Sequence, residues 1–259
     1  MQYPEAGYYW VRPSPVMHLS KSDVHVWRLS LNTAPSRIRQ LIKILSSDER
    51  EKAGRFHFDK HRRRYVVTHA MLRIILGRFY LDIEPHKLEF RYGEHGKPYI
   101  SDHFQGRKLC FNIANSHELA LYALTRNDEI GIDVEFQREL TGADDIAARY
   151  FSSAEIAAIQ SLPGETKQKG FYNCWTRKEA FIKAIGKGLS FPLDKFEVSL
   201  VPGESARIIS IEGDAVKAKQ WTLESLDPGQ GYIAALAVQK LGLNPSFWQL
   251  PESGDDIYS

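Results

Sequence analysis

The sequence predicts an α+β fold built from two similar halves that pack as one body. Three observations carry this expectation. Short segments recur in the same order at a nearly constant distance along the chain. Strand-like and helix-like hydrophobic periods alternate within each half. No linker rich in Pro, Gly and Ser separates the halves, which are assigned to residues 1–127 and 128–259. The recurrence shows in four places. Ser46-Ser47-Asp48-Glu49 returns as Ser152-Ser153-Ala154-Glu155. Both fit a capping box, in which the serine accepts from the backbone N–H three residues on and the glutamate reaches back. His25–Leu29 falls opposite Gly131–Glu135, Arg64-Tyr65 opposite Phe171-Tyr172, and Lys87–Phe90 opposite Lys195–Val198, all at offsets of 106 to 108.

The elements follow in order. Trp27, Leu29 and Leu31 alternate with polar residues, as in a half-buried strand. Asp48–His57 reads as a short helix. Arg62–Tyr80 reads as a long one, with Tyr65, Thr68, Leu72 and Ile75 at helical spacing. Strands are expected at Leu88–Tyr92, Leu109–Ile113 and Leu119–Leu124, before a turn at Asn127-Asp128. The second half begins with a strand, Ile130–Phe136, and a capped helix, Ser153–Ser161. Its long helix, Lys169–Ile185, is stopped by Gly186 and Gly188, with Pro192 beyond. Strands at Phe196–Leu200, Ala206–Ile211, Trp221–Leu226 and Tyr232–Val238 complete it, and Glu252–Ser259 reads as a loose acidic tail.

Composition narrows the function classes. Of 259 residues, 43% are hydrophobic and 25% charged, which excludes a disordered, collagen-like or low-complexity chain. Lys plus Arg number 34 against 32 Asp plus Glu, so a general polyanion coat is excluded. Cys110 and Cys174 are too few for a disulfide framework and are expected as buried free thiols. The opening residues lack the basic and apolar regions of a signal peptide. No apolar run approaches the roughly 18 residues a membrane span needs. A soluble, cytoplasmic protein is the expectation.

Two clusters carry chemistry. Asp133 and Glu135 lie two apart in an apolar strand, so both carboxylates share one face. Like charges there repel unless a cation or basic side chains neutralise them, and hard cations such as Mg2+ favour such oxygens. An exposed face with solvated acids is the alternative, and the pair alone does not decide. The second cluster is Trp175-Thr176-Arg177-Lys178-Glu179-Ala180-Phe181-Ile182-Lys183. Glu179 and Lys183 stand four apart on one helix face, the spacing of a common surface ion pair. On the sheet that carries Asp133 and Glu135, the same spacing would add a third carboxylate and a lysine for a phosphate.

A basic run, Lys52, Arg55, Lys60, Arg62, Arg63 and Arg64, interleaves with Phe56, His57, Phe58 and Tyr65. It could serve nucleic acid or the phosphates of a nucleotide, whereas Arg62 and Arg63 fit a solvated face. Gly93–Tyr99 is a glycine turn, Gly93-Glu94-His95-Gly96-Lys97-Pro98-Tyr99, and is neither a P-loop nor a dinucleotide fingerprint. His18, His25, His86, His103 and His117 lack metal-ligand spacing. Zinc and serine-hydrolase motifs are absent.

Gly131-Ile132-Asp133-Val134-Glu135, followed about forty residues later by Trp175–Lys183, resembles the paired signatures of the 4′-phosphopantetheinyl transferases. Gly96-Lys97-Pro98 and Phe111-Asn112-Ile113-Ala114-Asn115-Ser116 precede them, as in the Sfp-type group. The resemblance runs from about Leu45 to about Leu200. It implies a monomeric pseudo-dimer, each half with an antiparallel sheet and a long packed helix. It implies transfer of phosphopantetheine from coenzyme A to a serine of an apo acyl or peptidyl carrier protein. Fatty-acid, polyketide and peptide-synthetase carriers all remain candidates, and neither nucleic acid nor membrane is an expected partner. By motif, Asp133, Glu135 and Glu179 would hold Mg2+, with Mn2+ equally suited to the oxygens. Glu179 would be the base and Lys183 would stabilise the pyrophosphate. Lys52, Arg64, Lys97, Asn115 and Ser116 would meet coenzyme A. One departure stands out: the family pattern Ser-His-Ser is here Ala114-Asn115-Ser116, so an uncharged side chain replaces a histidine. Through the internal offsets, Asp133, Glu135 and Glu179 correspond to Trp27, Leu29 and Leu72, so the first half would lack metal ligands and each chain would hold one site. Gln137–Phe151, with Leu140, Ile146, Tyr150 and Phe151, is where the family meets its carrier.

Overall fold

A computed structural model describes residues 9–101 and 109–250; the expected acidic tail lies outside them. Every strand expected from alternation is present, some shifted by a few residues. The chain runs β1 (Asp23–Ser30), α1 (Pro35–Ile42), α2 (Ser47–Gly54) and α3 (Asp59–Ile74), with α3 prolonged by a π-helical stretch over Ile75–Leu81. A short hairpin follows, β2 (Phe90–Tyr92) and β3 (Pro98–Ile100), then β4 (Leu109–Ser116), β5 (Leu119–Arg126) and β6 (Ile130–Phe136). Beyond lie α4 (Ala143–Tyr150), α5 (Ser153–Ser161) and α6 (Gly164–Ile185). The chain continues through β7 (Phe196–Val198), β8 (Ile208–Ile211), α7 (Ala215–Ala218), β9 (Thr222–Leu226), β10 (Tyr232–Val238) and β11 (Asn244–Gln249).

Period-two alternation sorts the core into layers. Ile130, Ile132 and Val134 of β6 and Ala234, Leu236 and Val238 of β10 turn one way, onto Val24, Val26, Leu121 and Ala123. That middle layer joins the sheet β11-β1-β5-β4 to the sheet β6-β10-β9. On the outer faces, Trp27, Leu29, Tyr122 and Leu124 pack with α3, and Ile233, Ala235 and Ala237 pack with α6. The architecture is therefore mixed α+β, with small antiparallel sheets and helices outside them.

Two differences from expectation have physical reasons. The first sheet is not purely antiparallel: β11 returns from the far end of the chain and pairs parallel with β1, Trp27 opposite Trp248. Pro245 lies in this strand and is tolerated because β11 is an edge. Cys110 is half-buried where full burial was expected, whereas Cys174 is buried; neither forms a disulfide.

Both capping boxes form, at Ser46 with Glu49 and at Ser152 with Glu155. Each glutamate also meets a buried cation on its long helix. Glu49 pairs with Arg73 at 2.7 Å and Glu155 with Lys178 at 2.8 Å. Those cations further donate to carbonyls, Leu88 O for Arg73 and Leu193 O and Phe196 O for Lys178. Such pairs survive burial only with their remaining donors satisfied in this way.

A third buried polar group gives a pH prediction. Tyr80 Oη accepts from Trp27 Nε1 at 2.9 Å and lies 2.7 Å from His25 Nδ1. The hydroxyl proton is then free to go to Nδ1, which suits a neutral His25. Burial pushes His25 down to about 4 from an ordinary value near 6.5, against the pull of Asp23. The unfolded chain thus binds the proton more readily, so stability falls as pH drops from about 6.5 to about 4. The contribution is at most about 3 kcal/mol. Denaturant melts of the parent and of His25→Gln at pH 7 and pH 4.5 check this: the variant should lose less stability between them. An equal loss would remove His25 as a cause.

Candidate active site

The site is built where α6 crosses β6. Along β6 the residues not turned to the middle layer, Gly131, Asp133 and Glu135, face the helix. Gly131 sets the depth of that crossing. A Cβ there would stand 2.0 Å from Ala180 O and 2.3 Å from Ala184 N, both backbone atoms of α6. A glycine inside an apolar strand lets another backbone approach closely, and here it does so for the helix carrying Glu179 and Lys183.

Lys183 Nζ lies 2.6 Å from Asp133 Oδ1. Asp133 is buried, and its Oδ2 has no hydrogen-bond partner. Burial drives its carboxyl up to about 7, Lys183 opposes this, and the neighbouring Glu135 and Glu179 add to the rise. Glu179 is likewise raised, first by burial and then by Glu135, against Lys183. Burial alone would lower Lys183, but Asp133, Glu179 and Glu135 outweigh it and hold the ammonium charged. Ser116 Oγ donates to Glu135 Oε2 at 2.8 Å and accepts from Phe136 N at 3.1 Å. A second side chain of β4, Asn112, accepts from Ile132 N at 3.0 Å. The edge strands β4 and β6 are thus stitched by side chains, and one stitch orients a carboxylate of the site.

The structure therefore brings together Asp133, Glu135, Glu179, Lys183 and Ser116. The remaining sequence candidates lie around this group. Asn115 is exposed at the end of β4. Arg64 pairs with Glu118 at 2.6 Å, in the turn that follows Ser116. Lys52 is exposed, its ammonium 5.5 Å from the Tyr65 ring centre. Lys97 is engaged by Glu129 and Ala184 O. Arg62 and Arg63 both reach Asp59; Arg62 is exposed and Arg63 half-buried. In the segment expected to meet a carrier, Phe151 is core, while Leu140, Ile146 and Tyr150 are half-buried against it.

Sequence reasoning missed Gly131 as a packing residue, and Glu118 and Glu129 as partners of cations. Only the first left a signal, a glycine interrupting an apolar strand. Among the described residues, no group of three histidine, cysteine or acidic side chains is gathered closely enough to hold a metal ion as placed. The donor chemistry still suits a hard cation: three carboxylates that sense one another's charge, with one buried oxygen unpartnered.

An acidic cluster on a strand, faced by a lysine from the packed helix, has the chemistry to hold a hard cation and to meet a phosphate. The chain belongs to the 4′-phosphopantetheinyl transferase family. Residues 129–237 match the 4′-phosphopantetheinyl transferase superfamily, and residues 30–127 match the N-terminal 4′-phosphopantetheinyl transferase family. The chain is 39% identical over 239 residues to the 4′-phosphopantetheinyl transferase HetI of Nostoc sp., covering 92% of this chain and 97% of that one. It is 32% identical over 161 residues to the 4′-phosphopantetheinyl transferase Sfp of Bacillus subtilis, covering 62% and 69%. A human relative, L-aminoadipate-semialdehyde dehydrogenase-phosphopantetheinyl transferase, is 27% identical over 231 residues, covering 83% and 74%.

Among the described residues, no helix is long and apolar enough to cross a membrane.

Proposed function

We propose that the Asp133, Glu135, Glu179 and Lys183 cluster is where this chain transfers 4′-phosphopantetheine from coenzyme A to a carrier-protein serine. The observation that carries this is the β6–α6 crossing, which sets three carboxylates and one lysine against each other in a half-covered site.

In this reading the serine hydroxyl oxygen attacks the phosphorus that bears the pantetheine. The bond from that phosphorus to the bridging pyrophosphate oxygen breaks, and adenosine 3′,5′-bisphosphate leaves. Glu179 takes the hydroxyl proton; its burial makes it a stronger base than a surface glutamate. Lys183 stabilises the charge that gathers on the leaving pyrophosphate oxygen. Asp133, Glu135 and Glu179 would hold Mg2+, which supplies charge neutralisation at the pyrophosphate when bound. Ser116 keeps Glu135 turned into the site.

The finer assignments belong to the same proposal. The halves 1–127 and 128–259 form a pseudo-dimer with one site, the first half giving basic contacts through Lys52 and Arg64 and the second the carboxylates. The repeated capping box and buried ion pair in each half support this division. The protein acts as a cytoplasmic monomer, and the segment around α4 docks the carrier.

Incubating apo carriers with coenzyme A and Mg2+ and reading intact mass tests the function. A phosphopantetheine adduct on at least one carrier is expected. Absence of the adduct on acyl and peptidyl carriers alike, together with salt-sensitive nucleic-acid binding, would overturn it. A panel of carriers compared by kcat/KM then ranks the partners. Asn115→His places a titratable donor at the exposed end of β4, and the KM for coenzyme A should fall. An unchanged or higher KM would mean Asn115 does not face the ligand.

A further inference from the structure

Lys97 lies in the turn between β2 and β3, and its sequence motif assigns it to the ligand. Its ammonium is already occupied within the protein. It donates to Glu129 Oε2 at 2.7 Å and to the backbone oxygen of Ala184 at 2.5 Å. Two of its three N–H donors are thereby spent.

The two partners sit at informative places. Ala184 directly follows Lys183, and Glu129 directly precedes β6, four residues before Asp133. One side chain from the first half therefore holds both elements whose spacing sets the Lys183–Asp133 pair. Ala184 is gripped from a second side as well, by the close approach of Gly131. The end of α6 explains why an ammonium is wanted there. The last carbonyls of a helix have no partner within it, and a cation is favourable at that end. Gly186 terminates α6 in the left-handed region, at φ 68°. A Cβ on Gly186 would stand 3.1 Å from Lys97 Cδ, so the lysine stem lies against the cap while its head reaches the carbonyl.

We propose that Lys97 is a positioning residue for the transfer reaction: by capping the C-terminus of α6 and pairing with Glu129, it fixes where Lys183 stands relative to Asp133. The proposal rests on the reading of the β6–α6 cluster as the transfer site.

Steady-state kinetics on an apo carrier, with coenzyme A varied, separates positioning from ligand contact. Lys97→Met keeps the stem and removes the charge. It should lower kcat about tenfold or more, with KM for coenzyme A changed by less than about threefold. Glu129→Gln should act in the same direction and more weakly. The double variant should be no worse than Lys97→Met alone, because both act through one contact. Lys97→Arg should restore part of kcat. Independently of catalysis, amide hydrogen exchange at Ile185, Gly186 and Lys187 should quicken in Lys97→Met and stay parental in Lys97→Arg.

A rise of tenfold in KM with kcat unchanged would make Lys97 a ligand contact and overturn the proposal. So would parental kcat together with parental exchange at the end of α6. A parent chain inactive on every carrier would instead strike down the reading of the site, while the exchange experiment would still report whether Lys97 holds the helix.

Discussion

Glu179→Ala should reduce transfer by about a hundredfold to ten-thousandfold, the range that removal of a positioned general base produces. The same substitution should leave the fold intact. Alanine is the best helix former, so α6 loses nothing in propensity. Glu179 is moreover held in an unfavourable setting, where burial opposes its charged form more than Lys183 favours it and Glu135 adds to the opposition. Removing it relieves that opposition and part of the pressure on Asp133. The melting temperature should therefore stay level or rise slightly, the signature of a residue kept for chemistry and not for stability. Intact-mass rates and thermal melts on the same preparation check both halves of the prediction. Transfer at the parental rate would remove Glu179 as the base. Lost transfer with a collapsed melt would make it structural.

Gly131→Ala should damage stability and activity together. The added methyl carbon would meet three backbone atoms of α6, Ala180 O at 2.0 Å, Ala184 N at 2.3 Å and Ala184 Cα at 2.9 Å. Backbone cannot swing aside as a side-chain tip can, so the whole helix must lift from β6. Overpacking of a core costs about 1–3 kcal/mol and at times more; a backbone clash belongs at or above the top of that range. For a chain of this size that is a fall of about 10 °C in melting temperature. Lifting α6 also draws Lys183 from Asp133, so kcat should drop even where the variant remains folded. Gly54→Ala is the matched control. Gly54 ends α2 with nothing within 4 Å of its would-be Cβ, and alanine there should be neutral or stabilising. A Gly131→Ala protein as stable as its parent would refute the close crossing.

Much of this was legible because it is local. The capping boxes at Ser46 and Ser152 are decided within four residues, and both formed as read. The alternation in β6 and β10 names the faces of those strands without knowledge of any partner. Asp133 and Glu135 on the face toward α6 follow from the same period. What escaped was settled at a distance. Arg73 and Lys178 read as charged residues that a helix would turn to water, yet each is buried against a glutamate more than twenty residues away. Nothing near Lys97 announces that its partners are Glu129 and Ala184. The strand β11 holds a proline, which reads as a break unless the strand is known to be an edge. α1 and α4 are only eight residues each, about two turns, too short for a helical period to declare itself from sequence.

The return of β11 to β1 bears on how the molecule comes into being. β1 is made early, yet one of its two neighbours, Asn244–Gln249, is made some two hundred residues later. Until then the first sheet carries an open edge of unpaired N–H and C=O groups, the kind that recruits stray strands. The first sheet therefore cannot complete itself until β11 is made, whatever the helices packed on it do. Closing that edge waits on β11, so early and late segments of the chain share one folding event, and a chain cut short before Asn244 keeps β1 exposed to mispairing.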